Sequence, residues 1–195
     1  DQEWYTRFYG TPPAEQFRIV IGFVNGPSCY GPSRQLVGQS KEVFSIIGYA
    51  ANRKGQPVLM ADLGTVVHEF NHSFIKIEGD TKNALAKSGK TIKSYSAFCM
   101  KQQAYDSWQT ILEESLVRAA EKCYFIEHGD GKVDKGIRNE MNYGFFWMPE
   151  LVQTLRYYES HRKKYPTFTS FYPEIIRFFD RYVTNMEKEM KKAMK

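Results

Sequence analysis

This sequence has no long apolar run and only three cysteines. No stretch approaches the roughly 18 consecutive apolar residues of a membrane-spanning helix, which excludes a transmembrane segment. The three cysteines, Cys29, Cys99 and Cys123, form no CxxC pair. This excludes a dense disulfide framework and a Cys-rich zinc finger, and it leaves a single disulfide open.

A strong excess of one charge is also lacking. Lys and Arg number 27 against 22 Asp and Glu, a net charge of +5 spread along the chain. Because nucleic-acid binding needs a dense basic patch, we expect no nucleic acid among the partners. The compartment is left open, with an exported protein, whether periplasmic, cell-surface or secreted, favoured because the sequence starts at Asp1 rather than Met and lacks its native N-terminus. The oligomeric state is left open.

The composition is that of a globular domain. Hydrophobic residues make up 42% of the chain, aromatic residues 15% and charged residues 25%. A chain of this length buries about 70% of the surface that its unfolded form exposes. Since no repeat or linker divides it, we expect residues 1–195 to form one α+β domain.

Apolar patterning predicts short strands first and helices afterwards. Two β-branched runs, 17–24 and 42–50, have the length of strands, whereas later segments repeat apolar residues at three- and four-residue steps. The predicted helices are 62–79, 105–125, 147–163 and 172–194. The remaining segments are expected to be a peripheral entry segment at 1–16, an irregular Lys-rich segment at 79–101 and a polar connection at 127–142.

The most informative motif is HEFNH at 68–72. On a helix His68 and His72 lie one turn apart and about 40° around the axis, so both imidazoles can bind one metal ion. Glu69 stands beside them, where a general base is needed. The alternative is a pair of ordinary histidines on an amphipathic helix. Against it, the motif uses two of only four histidines and is flanked by apolar residues, where unligated imidazoles are costly to bury.

A catalytic zinc ion needs a third protein ligand and an open position for water. The HExxHxxGxxH extension is absent, because Ile75 and Glu78 stand where its Gly and third His would be. This argues against a metzincin arrangement. A Glu of the next long helix is the alternative, and Glu113 and Glu114 both have apolar neighbours at helical spacing. Spacing leaves these two open.

Several segments make the sequence similar to a known family. They are VHEFNHSF at 67–74, ESLVRA at 114–119, CYGPSR at 29–34, and GFFWMPEL to YYESHRKKYPTF across 144–168. Through these segments, which cover most of residues 17 to 180, the chain resembles a family of uncharacterised bacterial zincin-like proteins of the gluzincin type. The resemblance implies a zincin-like fold, with a small N-terminal β-sheet over the HExxH helix and a mainly helical C-terminal half. It also implies one Zn²⁺ per chain, with Glu114 as the third ligand.

Arg118 departs from the better-known gluzincins. Many of those carry, four residues after the ligand Glu, a carboxylate that accepts a hydrogen bond from a zinc-bound His. Arg118 stands at that position and cannot accept one. The acceptor must therefore come from elsewhere, such as backbone carbonyls. Arg118 is expected to orient Glu114 or Glu69, or else to form a plain i,i+4 ion pair with Glu114.

The motif and the resemblance together predict a zinc-dependent metallopeptidase that hydrolyses a peptide or protein substrate, with Glu69 as general base. Tyr143, Tyr158 and His161 are candidates for stabilising the oxyanion, each weighed against a plain packing role. Tyr30 and Ser33 lie in the loop that joins the two strands and are candidates for substrate contact. The alternative function is a catalytically quiet zincin-like domain that binds a protein or a glycan.

Overall fold

The structure, a computed structural model, describes residues 1–51, 54–59 and 63–193. Seven helices and five strands occur in these ranges. The helices are α1 (Glu3–Tyr9), α2 (Leu63–Asn71), α3 (Gly79–Gln102), α4 (Trp108–Glu127), α5 (Val133–Asn142), α6 (Met148–Ser160) and α7 (Phe168–Ala193). The strands are β1 (Gln16–Ile21), β2 (Ser33–Arg34), β3 (Glu42–Ile47), β4 (Tyr49–Ala51) and β5 (Pro57–Leu59). The protein is therefore α+β and mainly helical, as the sequence predicts.

The main sheet has three strands in the order β1-β3-β2. Strand β3 lies at the centre, parallel to β1 and antiparallel to β2. The expected strand 42–50 is broken at Gly48, after which β4 pairs with β5 in a separate ribbon. A Cβ at Gly48 would lie 2.3 Å from the Ser28 carbonyl oxygen, so the chain passes too close to the 26–28 turn to continue the strand.

Helix α2 packs on the sheet and is shorter than predicted. The rings of Phe17 in β1 and Phe70 in α2 stack with their centroids 4.3 Å apart. The helix ends at Asn71, eight residues before the predicted end at Gly79, because tertiary contacts hold this position. Asn71 is fully buried, accepts a hydrogen bond from the Tyr9 hydroxyl and donates one to the Val117 carbonyl. The predicted first residue of this helix, Asp62, lies outside the described residues.

Two segments expected to be irregular are helices. Helix α3 occupies the Lys-rich segment 79–101, and α5 occupies much of 127–142. The buried stripe of α3 is Leu85, Ser88, Gly89, Ile92, Ser96 and Met100, and half of these residues are small or polar. A Cβ at Gly89 would lie 2.4 Å from the ring of Trp108 at the start of α4. The small residues of α3 therefore allow α4 to pack closely against it. Counting only apolar residues missed this stripe.

Residues 1–16 are not peripheral, which corrects another expectation. Helix α1 buries Trp4, Tyr5, Phe8 and Tyr9, which repeat at helical spacing along one face. The ring of Trp4 stacks on Phe8 at 4.5 Å and meets Tyr124 of α4 edge-on at 5.1 Å. The N-terminal helix is therefore part of the core.

Helix α4 is the centre of the fold and runs close to the predicted range 105–125. It contacts α2, α3, α5 and α6, and its apolar face, including Ile111, Leu116 and Cys123, is fully buried. The last two predicted helices are confirmed as α6 and α7, although residue 194 lies outside the described residues. All three cysteines are free. Within the described ranges, no helix combines the length and apolarity that crossing a bilayer requires.

Candidate metal centre

Three side chains from two neighbouring helical regions converge at one point. Nε2 of His68 lies 3.3 Å from Nε2 of His72 and 3.5 Å from Oε2 of Glu114. Oε1 of Glu114 lies 3.4 Å from Nε2 of His72. His68 belongs to α2, His72 directly follows the end of that helix, and Glu114 belongs to α4. These are the three residues that the sequence analysis named as zinc ligands.

The two imidazole nitrogens have the separation of two ligands on one tetrahedral metal ion, and Glu114 faces each of them with a different carboxylate oxygen. Bonds of about 2.0–2.1 Å from zinc to nitrogen or oxygen place adjacent ligand atoms about 3.4 Å apart. Oε2 of Glu114 is buried and has no hydrogen-bond partner among the described residues, and a metal ion would satisfy it. Burial lowers the pKa of His72 to about 4, so this imidazole is neutral and able to bind a metal near neutral pH.

Neighbouring charges also favour a divalent cation. Glu114, Glu69 and two further carboxylates, Glu121 and Glu140, surround the cluster together with two cations, Arg118 and Lys122. Among these groups the four carboxylates outnumber the two cations by two. A bound Zn²⁺ would neutralise that excess in a region where unbalanced charge is unfavourable.

Glu113 binds the chain between α2 and α3 instead of facing the histidines. Its Oε1 accepts a hydrogen bond from the backbone N–H of Ile77, at 2.8 Å, and another from Nε2 of Gln109. These bonds hold the extended chain between α2 and α3 against α4. Of the two candidates that spacing left open, the structure therefore brings Glu114 to the histidines.

Glu69 lies against the CYGPSR loop. A Cβ at Gly31 would be 2.0 Å from Oε2 of Glu69, so the loop backbone lies close to the carboxylate, and a larger residue would force that side chain to shift. Burial raises the pKa of Glu69, which makes the carboxylate a better proton acceptor. Tyr30 and Ser33 flank Gly31 within two residues, so this loop lies beside the cluster rather than on a remote face.

The carboxylate that supports His68 comes from Glu121. Its Oε2 lies 3.8 Å from Nδ1 of His68, the ring nitrogen that points away from the cluster. Burial opposes ionisation of Glu121, but His68 and Lys122 keep its pKa below the ordinary value. The expectation of backbone carbonyls in this role is therefore corrected: a charged acceptor stands two helical turns after Glu114.

Arg118 is largely shielded from solvent and contacts several groups at once, rather than forming only a surface ion pair. Its Nε lies 3.4 Å from Oε2 of Glu114, and its two terminal nitrogens donate to Glu140 at 2.9 Å and to the Tyr105 hydroxyl at 3.0 Å. The guanidinium also lies over the ring of Phe145, 4.9 Å from its centroid. Arg118 is thus held on several sides and forms the expected i,i+4 ion pair with Glu114, in a partly buried setting.

Glu140 of α5 forms ion pairs with two cations, Arg118 and Lys122, each of which leads to a candidate ligand. One oxygen accepts from Arg118, and the other lies 3.2 Å from Nζ of Lys122. Lys122 in turn contacts Glu121 at 2.9 Å. The buried Glu140 carboxylate therefore connects to Glu114 through Arg118, and to His68 through Lys122 and Glu121.

The other aromatic candidates lie elsewhere. Tyr158 is fully buried and donates to the Phe8 carbonyl, so it is a core residue that substrate cannot reach. Tyr143 is exposed just past the end of α5, and His161 stacks on Tyr157 just past α6. No contact joins these residues to the cluster within the described part of the chain. The candidate roles for Tyr158 and Tyr143 are not supported by their positions.

Tyr105 is the aromatic residue that the sequence analysis missed. Its hydroxyl lies beside both Arg118 and Glu114, and burial, followed by the charge of Glu114, raises its pKa. The residue stands before α4, outside any motif, so no spacing pointed to it. Glu121 did carry a signal, because Glu114, Arg118 and Glu121 follow the four- and three-residue steps of one helix face.

Comparison with known proteins adds a family but no activity. No curated protein and no solved structure matches the chain. A family described as a domain of unknown function, DUF4932, matches residues 5–178, which include most of α1, the CYGPSR loop and every residue of the cluster. This match covers most of the chain, and the protein accordingly belongs to the DUF4932 family.

Proposed function

We propose that this protein is a zinc-dependent metallopeptidase. The observation that carries the proposal is the convergence of His68, His72 and Glu114, whose nearest nitrogen and oxygen atoms are 3.3–3.5 Å apart, beside the half-buried Glu69. Two imidazoles and one carboxylate form a donor set typical of catalytic zinc, which keeps a further position open. When bound, the zinc ion supplies Lewis-acid polarisation of water and of the substrate carbonyl.

Glu69 performs the proton transfers in this proposal. Its raised pKa lets the carboxylate accept a proton from the attacking water and then donate it to the nitrogen of the leaving amine. Contact with Gly31 holds the carboxylate between the helix and the loop. Tyr105 and Arg118 keep Glu114 in place and exchange no proton with substrate.

The loop edge gives a route for binding an extended peptide. Tyr30 exchanges both main-chain hydrogen bonds with Ile46, and the Pro32 carbonyl accepts from Phe44. In an antiparallel ladder alternate residues face the partner strand, so the main-chain groups of Gly31 and Ser33 face away from β3. A substrate strand can add to this free edge by backbone hydrogen bonds and so lie beside Glu69.

The deciding experiment measures zinc and cleavage on one preparation. Purified protein should contain one zinc ion per chain by elemental analysis and should cleave members of a peptide library. A chelator should stop cleavage and added zinc should restore it. The matched control is Glu69→Gln, which keeps the zinc ligands but removes the proton acceptor, and its cleavage rate should fall by about 10²–10⁴-fold.

Each component of the proposal can fail separately. Absence of zinc above trace levels would remove the metal site. Stoichiometric zinc without cleavage of any peptide would favour the catalytically quiet binding domain. Cleavage that survives either the chelator or Glu69→Gln would assign the activity to other residues.

A further inference from the structure

A cavity of about 650 Å³ adjoins the metal centre on the side of Glu121. His68, Arg118 and Glu121 line it, so it begins at the outer side of a candidate ligand. Its other walls are the first turns of α2 and residues 130–139 at the start of α5. The volume lies within the range of about 300–1,000 Å³ that is typical of ligand sites.

The charges around this cavity are predominantly basic. Arg118 and Lys122 form one wall and are both held by Glu140. Lys132 and Lys135 form the opposite wall, both exposed, and neither makes an ion pair with any described residue. Of the six lysine, arginine, aspartate and glutamate side chains that line the cavity, four are cations and two, Glu121 and Asp130, are anions, so the two lysines give it a net positive charge.

The acidic groups at the cavity are already engaged. Glu121 contacts Lys122 and His68, and Oδ1 of Asp130 accepts a hydrogen bond from the backbone N–H of Lys132. This bond also fixes the turn that presents Lys132. Val133 and Phe125 supply apolar surface on the walls. The cavity thus combines apolar contact for an aliphatic stem with cations for an anionic end.

We propose that this cavity binds a carboxylate of the peptide substrate, next to the bond that is cleaved. The carboxylate belongs either to a Glu or Asp side chain or to the C-terminus of the peptide. This inference rests on the proposed peptidase function, because only that function puts a peptide beside His68. It assigns Lys132 and Lys135 as specificity-determining residues and the peptide as acidic.

Binding is measured apart from cleavage, on zinc-loaded Glu69→Gln protein. Three fluorescent peptides of one sequence are compared by anisotropy. The first carries Glu with blocked ends, the second carries Gln with blocked ends, and the third carries Gln with a free C-terminal carboxylate. The first or the third peptide should bind about tenfold more tightly than the second. Each of the two exposed ion pairs, one with Lys132 and one with Lys135, contributes about threefold.

The lysines are tested by a matched pair of double variants. Lys132→Gln with Lys135→Gln should remove the preference, and raising the salt concentration should weaken it in the parent protein. Lys188→Gln with Lys191→Gln makes the same charge change at the same spacing on exposed positions of α7, and it should leave the preference intact. Whichever acidic peptide binds better identifies the source of the carboxylate.

Equal binding of the three peptides, or a preference that survives loss of Lys132 and Lys135, would overturn the inference. These outcomes leave the proposed peptidase function untouched if wild-type protein still cleaves peptides. Conversely, a lysine-dependent preference in a protein that cleaves nothing would confirm the carboxylate site and refute the peptidase.

Discussion

Oε2 of Glu121 lies 3.8 Å from Nδ1 of His68, and this contact provides the carboxylate that α4 lacks at position 118. The carboxylate is also tied to Lys122, which fixes its orientation. A carboxylate on this side of the ring favours a proton on Nδ1, which would leave the lone pair of Nε2 for a metal ion. The carboxylate near His68 therefore comes from position 121, three residues and almost one helical turn after the position that carries it in the better-known gluzincins.

Glu121→Gln should weaken zinc binding by about 10–100-fold, because loss of such a supporting carboxylate lowers ligand basicity and order. The dissociation constant is measured by competition with a chromophoric chelator. Glu127→Gln is the matched control, since this glutamate of the same helix is well exposed and pairs with Arg7 at the surface. Equal zinc affinity in the Glu121 and Glu127 variants would show that His68 needs no carboxylate.

Glu114→Gln should abolish stoichiometric zinc, whereas Glu113→Gln should retain it. The amide at position 114 is a poor zinc ligand, but the amide at position 113 keeps an oxygen that can accept from Ile77. The zinc content of each variant is measured after gel filtration. His72→Ala, which should bind no stoichiometric zinc, is the reference. The reverse result would transfer the ligand role to Glu113.

Gly31→Ala should slow peptide cleavage by about 10²-fold while zinc content and the melting temperature stay unchanged. The added Cβ would stand 2.0 Å from Oε2 of Glu69, and the flexible carboxylate must turn away from its working position. Steady-state kinetics should show the loss in kcat. An unchanged kcat would mean that contact with the loop does not position the base.

Glu140→Gln should lower the free energy of unfolding by about 3–5 kcal/mol, because two buried cations lose the charge that balances them. Urea denaturation measures the change. Glu189→Gln, at an exposed i,i+3 pair on α7, should alter stability by less than about 1 kcal/mol. Similar stability of the two variants would show that Arg118 and Lys122 are balanced by other groups.

Local spacing was sufficient to predict that His68 and His72 lie together and to locate the long apolar helices. It left Glu113 and Glu114 open, and the family resemblance was needed to choose Glu114. Strands 17–24 and 42–50 were also located, although their ends were misplaced. In each case the relevant pattern lies within one continuous segment.

Helices α1, α3 and α5 were missed for a common reason. Their buried positions include small, polar or aromatic residues whose value depends on what lies opposite. Gly89 is buried because Trp108 approaches it, and the aromatic face of α1 is buried because Tyr124 stands across from it. A pattern that counts apolar residues carries no information about the opposing surface.

The sequence by itself determined the candidate chemistry of this protein, namely two histidines one helical turn apart, a glutamate beside them and two candidate glutamates on a later helix. The tertiary structure alone decided what surrounds them. Tyr105, Glu140 and Gly31 reach the centre from three separate segments, and no periodicity links those segments to the HExxH helix. Their convergence follows from packing around α4, which brings together residues far apart in the chain where burial makes charge pairing and close contact decisive.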